Sequence, residues 1–173
     1  DGQVLRWMSL GLAIVQESAT GDLWDDAIYR QLATAAVRHA RDAGALAVLP
    51  PALAYRAGVH LLEGEFATAA TLIEEAASIT AATDYAPLRY HALNLAAWRG
   101  IAPVAVGLIE AAAADATASG EGRVLGVTGF LSAVLYNGLG RYEDAFVAAR
   151  DGCSYEDLGF HGWCLFELIE AAT

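Results

Sequence analysis

Cys153, His161 and Cys164 are the nearest thing in this sequence to a metal-ligand or nucleophile cluster. His161 and Cys164 stand three apart, which puts them on one face of a helix. A structural zinc site needs four ligands in paired spacings, and the fourth is missing, so a buried cysteine serving as a small hydrophobe is the competing reading. The other histidines, His39, His60 and His91, fall on different predicted helices, and no HExxH pattern occurs. Acid–base work needs a partner within reach of each imidazole, and the sequence offers none. Adjacent carboxylates occur at Asp25-Asp26, Glu74-Glu75 and Glu143-Asp144. Neighbours on a helix point about 100° apart, so such pairs do not share a proton and read as helix starts or solvated faces. No GxSxG nucleophile elbow is present. The expectation is a chain that is not an enzyme: no catalytic residue, no metal ligand set and no cofactor site in this segment.

Charge narrows the classes further. The ten basic residues are all arginine, against 21 acidic ones, for a net charge of −11. Without lysine there is neither a Walker A loop nor a Schiff base. An acidic chain of this kind does not grip a phosphate backbone, so no direct nucleic-acid contact is expected. The hydrophobic fraction is 56%, which raises the question of a membrane. The longest uncharged stretch, between Arg123 and Arg141, is interrupted by Gly126, Gly129, Gly138 and Gly140 and by Thr128, Ser132 and Asn137. It is short for a span, and no membrane segment is expected. Two cysteines make no disulfide framework, which points to reduced thiols and a cytoplasmic location. The chain begins at Asp1 and stops at Thr173 inside an apolar helical pattern, and is expected to be a piece of a longer protein.

These residues must be carried by helices, because apolar positions recur with a 3.6-residue period and almost never alternate. The predicted helices cover 3–18, 23–43, 48–62, 66–82, 87–99, 103–118, 122–138, 142–151 and 158–172. Pro50-Pro51 and Pro87 open helices, where the missing N–H would be unpaired anyway. Asp22, Asp25 and Asp26 start the second helix, and Arg38, His39 and Arg41 end it, each set opposing the helix dipole. Gly64, Gly100 and Gly140 follow apolar runs and suit left-handed C-terminal caps.

Aligning those three glycines, 36 and 40 residues apart, brings their flanks into register. Five residues beyond stand Ala69, Ala105 and Ala145; nine beyond stand Ile73, Ile109 and Ala149; thirteen before, in the first two, stand Pro51 and Pro87. A fixed period in this range means stacked helical hairpins. The run Gly140-Arg141-Tyr142-Glu143-Asp144-Ala145 resembles the glycine-x-tyrosine-x-x-alanine turn of a tetratricopeptide repeat, and Gly64-Glu65-Phe66-Ala67-Thr68-Ala69 is similar, with Phe for Tyr. Here glycine makes the turn, the aromatic plugs the space between the helices, and alanine lets them approach. Tyr136 matches the family's aromatic position in the first helix; His60 occupies the same position in its repeat and reads as a packed, hydrogen-bonded core histidine. The small residue of the first helix is Ala57 or Ala133 in two repeats and Leu93 in the third, Ala102 replaces the aromatic in that repeat, and both spacings exceed about 34 residues. The fold class expected is all-α, a right-handed α-solenoid of antiparallel helix pairs in one domain over 1–173, with repeats at roughly 3–43, 48–82, 87–118 and 122–151 and a final helix at 158–172.

A longer likeness spans nearly the whole chain. Asp22-Leu23-Trp24-Asp25-Asp26, ARDAGALAVLPPALAYRAGVHLLEGEF, LNLAAWRG and VLYNGLGRYEDA together resemble the helical-repeat region of large ATP-binding LuxR-family transcriptional regulators. The resemblance implies an N-terminal nucleotide-binding ATPase region, in some members preceded by a cyclase-like domain, and a C-terminal helix-turn-helix DNA-binding domain, all outside these residues. It implies a non-catalytic module that senses an effector or protein partner. The alternative is a free-standing adaptor or dimerisation scaffold with no transcriptional role.

In such a stack the first helix of each pair lines the concave side. Counting from the glycines places Ala54, Gly58, Leu61 and Leu62 there, then Tyr90, Asn94, Ala97 and Trp98, then Phe130, Val134, Asn137 and Gly138. Tyr90, Asn94 and Trp98 form an i, i+4, i+8 stripe, with Phe130 and Asn137 on a neighbouring first helix. Aromatics and amides in a groove suit a peptide or a small polar effector. The competing reading is that Trp98 and Phe130 pack against neighbouring helices. Arg56, Arg89 and Arg99 either hold an acidic partner or balance nearby carboxylates. The partners expected are a protein or a neighbouring domain, with a small-molecule effector and a second copy of the chain as alternatives.

Overall fold

The computed structural model describes residues 25–83, 90–156 and 160–173. Among the described residues it is all-α, with eight helices and no strand. These are α1 (Asp26–Asp42), α2 (Leu49–Leu62), α3 (Phe66–Thr83), α4 (Tyr90–Arg99), α5 (Ala102–Ser119), α6 (Gly122–Gly138), α7 (Tyr142–Gly152) and α8 (Phe160–Ala172). The helix expected at 3–18, with Asp22, Pro87 and Arg89, lies outside the described residues. The remaining helices match the apolar periodicity closely. They gather into two compact units, residues 1–92 and 93–173, whose boundary falls within α4.

Local chemistry accounts for the helix ends. Asp25 is the N-cap of α1, its Oδ1 accepting from the Ile28 N–H at 3.0 Å. Asp26 sits in the first turn of α1 and His39 and Arg41 in the last, where their charges oppose the dipole. Proline occupies the first turns of α2 and α5.

Gly64, Gly100 and Gly140 have φ of 74°, 68° and 70°, the left-handed conformation that only glycine adopts without cost. In two of these turns the N–H after the glycine reaches five residues back: Glu65 to the His60 carbonyl and Arg141 to the Tyr136 carbonyl, both at 2.8 Å. Gly44 and Gly120, which the repeat alignment does not single out, make the same turn ahead of α2 and α6. There the N–H groups of Ala45 and Glu121 bond the carbonyls of Ala40 and Ala116 at 2.9 Å.

In unit 1, α2 packs against both α1 and α3. Its core joins Ala36, Val37 and Ala40 of α1 to Leu49, Ala52 and Leu53 of α2 and Ala76 of α3, with Leu72 and Ile79 packed at the edge. In unit 2, α6 packs against α5, α7 and α8, and α7 also packs against α8. The aligned alanines Ala69, Ala105 and Ala145 are all 0% exposed. Ala57, Leu93 and Ala133, the aligned positions of the first helices, are buried as well. The aromatic plug is a correction: Phe66 is half-buried, but Tyr142 is largely exposed. Ala145 is fully buried while the Tyr142 ring stays outside the helix contact.

The closest approach joins α6 to α7 without side chains. A Cβ added at Gly129 would stand 2.6 Å from the Gly152 Cα and 2.8 Å from its nitrogen. A Cβ at Gly152 would meet the Cys164 Sγ at 2.8 Å and the Phe130 nitrogen at 3.1 Å. Backbone cannot yield as a flexible side chain can, so Gly129→Ala forces the helices apart. We expect it to destabilise the fold by about 1–3 kcal/mol in urea unfolding. Gly107, on the open side of α5, has no atom within 4 Å of an added Cβ. Gly107→Ala is expected to stabilise by about 0.4–1 kcal/mol, because only the unfolded chain loses freedom. Equal effects from the two substitutions would refute the steric account.

Candidate functional site

Of the five residues expected on a concave face, the structure leaves one well exposed. Trp98, near the end of α4, is 40% exposed, while Tyr90 and Asn94 on the same helix are half-buried. Tyr90 belongs to unit 1 and the other four to unit 2. Phe130 and Asn137 are corrections, being 1% and 6% exposed. The final helix covers them both. Trp163 of α8 meets the Phe130 ring edge-on at 5.8 Å between centroids, and Phe160 lies 6.1 Å away. The Asn137 amide donates to the Glu167 backbone carbonyl at 3.0 Å and to Glu167 Oε2 at 2.9 Å. Its own Oδ1 is buried without a hydrogen-bond partner among the described residues. Burial raises the Glu167 carboxyl above its ordinary range, and the Asn137 hydrogen bond opposes that shift.

A different surface emerges in unit 2. Trp98 near the end of α4, Ile101 in the turn, and Val104 and Leu108 on α5 are all exposed. On α5 the buried stripe is Ala105, Ile109, Ala112 and Ala116, so three of its four positions are alanine while Val104 and Leu108 face out. The same inversion holds on α7, where Ala145 and Ala149 are buried and Tyr142, Phe146 and Val147 are exposed. On α8, Leu165, Phe166 and Ile169 are exposed. Carboxylates stand among them: Glu110 and Asp115 on α5, Glu143, Asp144 and Asp151 on α7, and Glu170 on α8. Large apolar residues left exposed among charged ones on a helix face are where a partner is expected to bind. The sequence does carry a signal for this surface: α5 and α7 have large apolar residues off the stripe that their alanines define.

Unit 1 holds two polar clusters. At the end of α2, the Nδ1 of buried His60 lies 2.8 Å from Glu65 Oε2 and 3.5 Å from Glu63 Oε2. The Arg30 guanidinium of α1 is ion-paired to Glu63. Ligand atoms of His60, Glu63 and Glu65 all lie within 4.8 Å of one another, the one such group among the described residues. A cation there would compete with Arg30 for Glu63 and with the hydrogen bond between His60 and Glu65, so the cluster serves first as the tie between α1 and the α2–α3 turn. His60 is thus the packed, hydrogen-bonded residue that its repeat position implies. Arg56 donates to Thr34 Oγ1 at 2.6 Å, binding α2 to α1. Arg41 forks onto both Glu75 carboxylate oxygens at 2.8 Å. In unit 2, the cluster of Cys153, His161 and Cys164 has the His161 Nδ1 engaged with the Cys153 carbonyl at 3.1 Å.

His91 is the most perturbed titratable group of unit 1. Its ring packs edge-on against Tyr55 at 5.6 Å and lies 3.7 Å from where a Gly58 Cβ would be. The Tyr29 hydroxyl, also over Gly58, donates to the Tyr55 carbonyl at 3.3 Å. The His91 Nδ1 has no hydrogen-bond partner among the described residues. Burial lowers its pKa from 6.5 to about 4.

No family model, no curated protein and no solved structure matches the chain. No helix among the described residues is long and apolar enough to cross a membrane.

The His91 shift has a definite sign. Between pH 6.5 and about 4 the unfolded chain binds a proton that the folded chain refuses. Its contribution to stability is therefore complete above pH 6.5 and is lost as pH falls towards 4. The loss is on the order of 3 kcal/mol, an upper bound because part of the residue surface stays exposed. Urea unfolding from pH 7 to pH 4 should show this decline, and His91→Phe should flatten it. An unchanged slope in the variant would remove His91 as the cause.

Proposed function

We propose that this chain is a non-catalytic binding module, a right-handed tetratricopeptide-like stack of helix pairs that receives a protein partner or a neighbouring domain. Its place, on the resemblance of its sequence, is the helical-repeat region of a LuxR-family transcriptional regulator in the cytoplasm, relaying the event to ATPase and helix-turn-helix regions elsewhere. The observation that carries the binding role is the inversion on α5 and α7. Alanines fill the buried stripe while Val104, Leu108, Phe146 and Val147 are exposed. Exposing large apolar residues brings no folding stability, so their use there favours a second surface that covers them. The glycine-to-alanine register at three turns, Ala69, Ala105 and Ala145, supports the repeat architecture. The net charge of −11 favours a partner that brings basic residues around an apolar centre.

A second reading, a dimerisation scaffold, is favoured by Leu165, Phe166 and Ile169 on α8, which offer an apolar strip to a second copy.

The test uses the parent protein in its own cells. Trp98→Ala and Val104→Asp, both at exposed positions, are expected to leave the circular dichroism spectrum and melting temperature nearly unchanged. They should reduce recovery of the co-purifying partner at least tenfold, about 1.4 kcal/mol of binding. Undiminished recovery from both folded variants contradicts the use of this surface. A parent sequence lacking both an ATPase motif and a helix-turn-helix contradicts the regulator assignment and leaves the binding role standing. Sedimentation at micromolar concentration separates the scaffold reading: Phe166→Asp should then convert dimer to monomer.

A further inference from the structure

His60, Glu63 and Glu65 bring three metal-ligating side chains into one turn of unit 1. His60 lies in the last turn of α2, Glu63 caps that helix, and Glu65 precedes α3. The backbone that carries them is fixed. The N–H groups of Glu63, Gly64 and Glu65 bond the carbonyls of Val59, Leu61 and His60 at 3.1, 3.1 and 2.8 Å, and Gly64 is left-handed. His60 is itself buried, which holds its ring in place. The spacing from His60 to Glu63 and Glu65 follows neither the HExxH nor the paired-cysteine pattern, and it is the Gly64 reversal that rejoins the donors.

Distances decide what this turn can hold. Zinc bonds imidazole nitrogen and carboxylate oxygen at about 2.0–2.2 Å, so a tetrahedral ion needs its donors about 3.3–3.6 Å apart. The His60 Nδ1 stands 3.5 Å from Glu63 Oε2 and 2.8 Å from Glu65 Oε2. The first separation already matches. The second opens by rotation of the Glu65 side chain, which is 54% exposed. Calcium and magnesium fit this donor set poorly, because they take six or more oxygens and the buried donor here is nitrogen.

We propose that His60, Glu63 and Glu65 form a binding site for one zinc ion, with water in the fourth position. Two interactions compete for the same donors. The Arg30 side chain that pairs with Glu63 is 55% exposed, so that ion pair contributes little and the guanidinium is free to turn to water. The hydrogen shared by His60 Nδ1 and Glu65 gives way to the ion, and Nε2 then carries the ring's hydrogen. Zinc thus fastens the end of α2 to the start of α3 and releases α1 from Glu63. The inference concerns unit 1 alone and does not depend on the partner surface of unit 2.

The experiment titrates zinc chloride into the folded full chain, stripped of metal by a chelator, by calorimetry, and follows the melting temperature. One ion per chain should bind at micromolar zinc, and the melting temperature should rise with zinc concentration but not with magnesium. Glu65→Gln keeps an oxygen that accepts from His60, so it should preserve the fold while weakening zinc binding at least about tenfold. Arg30→Ala should tighten binding, because it removes the competitor for Glu63. Two results overturn the proposal: a folded chain that takes up no zinc at millimolar concentration, or zinc binding that Glu65→Gln leaves unchanged, which would put the ion elsewhere.

Discussion

Helices in this protein touch where they have almost no side chain. Gly129 of α6 lies against the backbone of Gly152 of α7, and Ala69, Ala105 and Ala145 are sealed completely. Dispersion contacts between such surfaces are individually tiny but gain from close approach, and small residues lose little side-chain entropy on burial. The consequence is a chain that is apolar by composition and yet builds its interior largely from alanine and glycine. Tight turns follow from the same constraint. Helices that come so near must reverse direction in a few residues, and five left-handed glycines among the described residues provide those reversals.

An interior of small residues leaves the larger ones for other work. Phe130, Leu131 and Leu135 of α6 fill the centre of unit 2, where α5, α7 and α8 all meet that helix. Val104, Leu108, Phe146, Val147, Phe166 and Ile169 face outward instead. Polar ties at the edges supply direction. Arg30 and His60 share Glu63 at one end of α2, His60 also holds Glu65, and Asn137 fastens α6 to α8 through Glu167. On α5 and α7, small residues hold the helix contacts and large ones stay exposed, while α6 buries its large residues at the centre of unit 2.

Much of this is legible in the sequence. The glycine-to-alanine spacing identifies positions that are buried and turns that are left-handed, because a turn and a close approach each demand one residue type. Helix ends are legible for the same reason at Asp25 and Pro50. Side-chain surroundings are not. Helical phase alone sets Phe130 and Asn137 on a concave face, and phase cannot show that another helix lies over them. Tyr142 matches a motif whose aromatic is a packing residue, yet it is exposed, and the motif alone does not show that. The meeting of Arg30 with Glu63 joins residues on different elements, and their spacing carries no local signal. Trp98 is accessible, as its phase implies.

Hydrogen exchange across unit 2 tests the central claim most directly. If close backbone contact at small residues organises this unit, amides in the middle of α6, enclosed by three helices, exchange only through the largest opening the unit undergoes. They should be the slowest in the unit, by at least about a hundredfold over those of α8. Amides of α6 that exchange as fast as those of α8 would contradict the account, because the helix on which the others pack would then open as readily as the one at the edge.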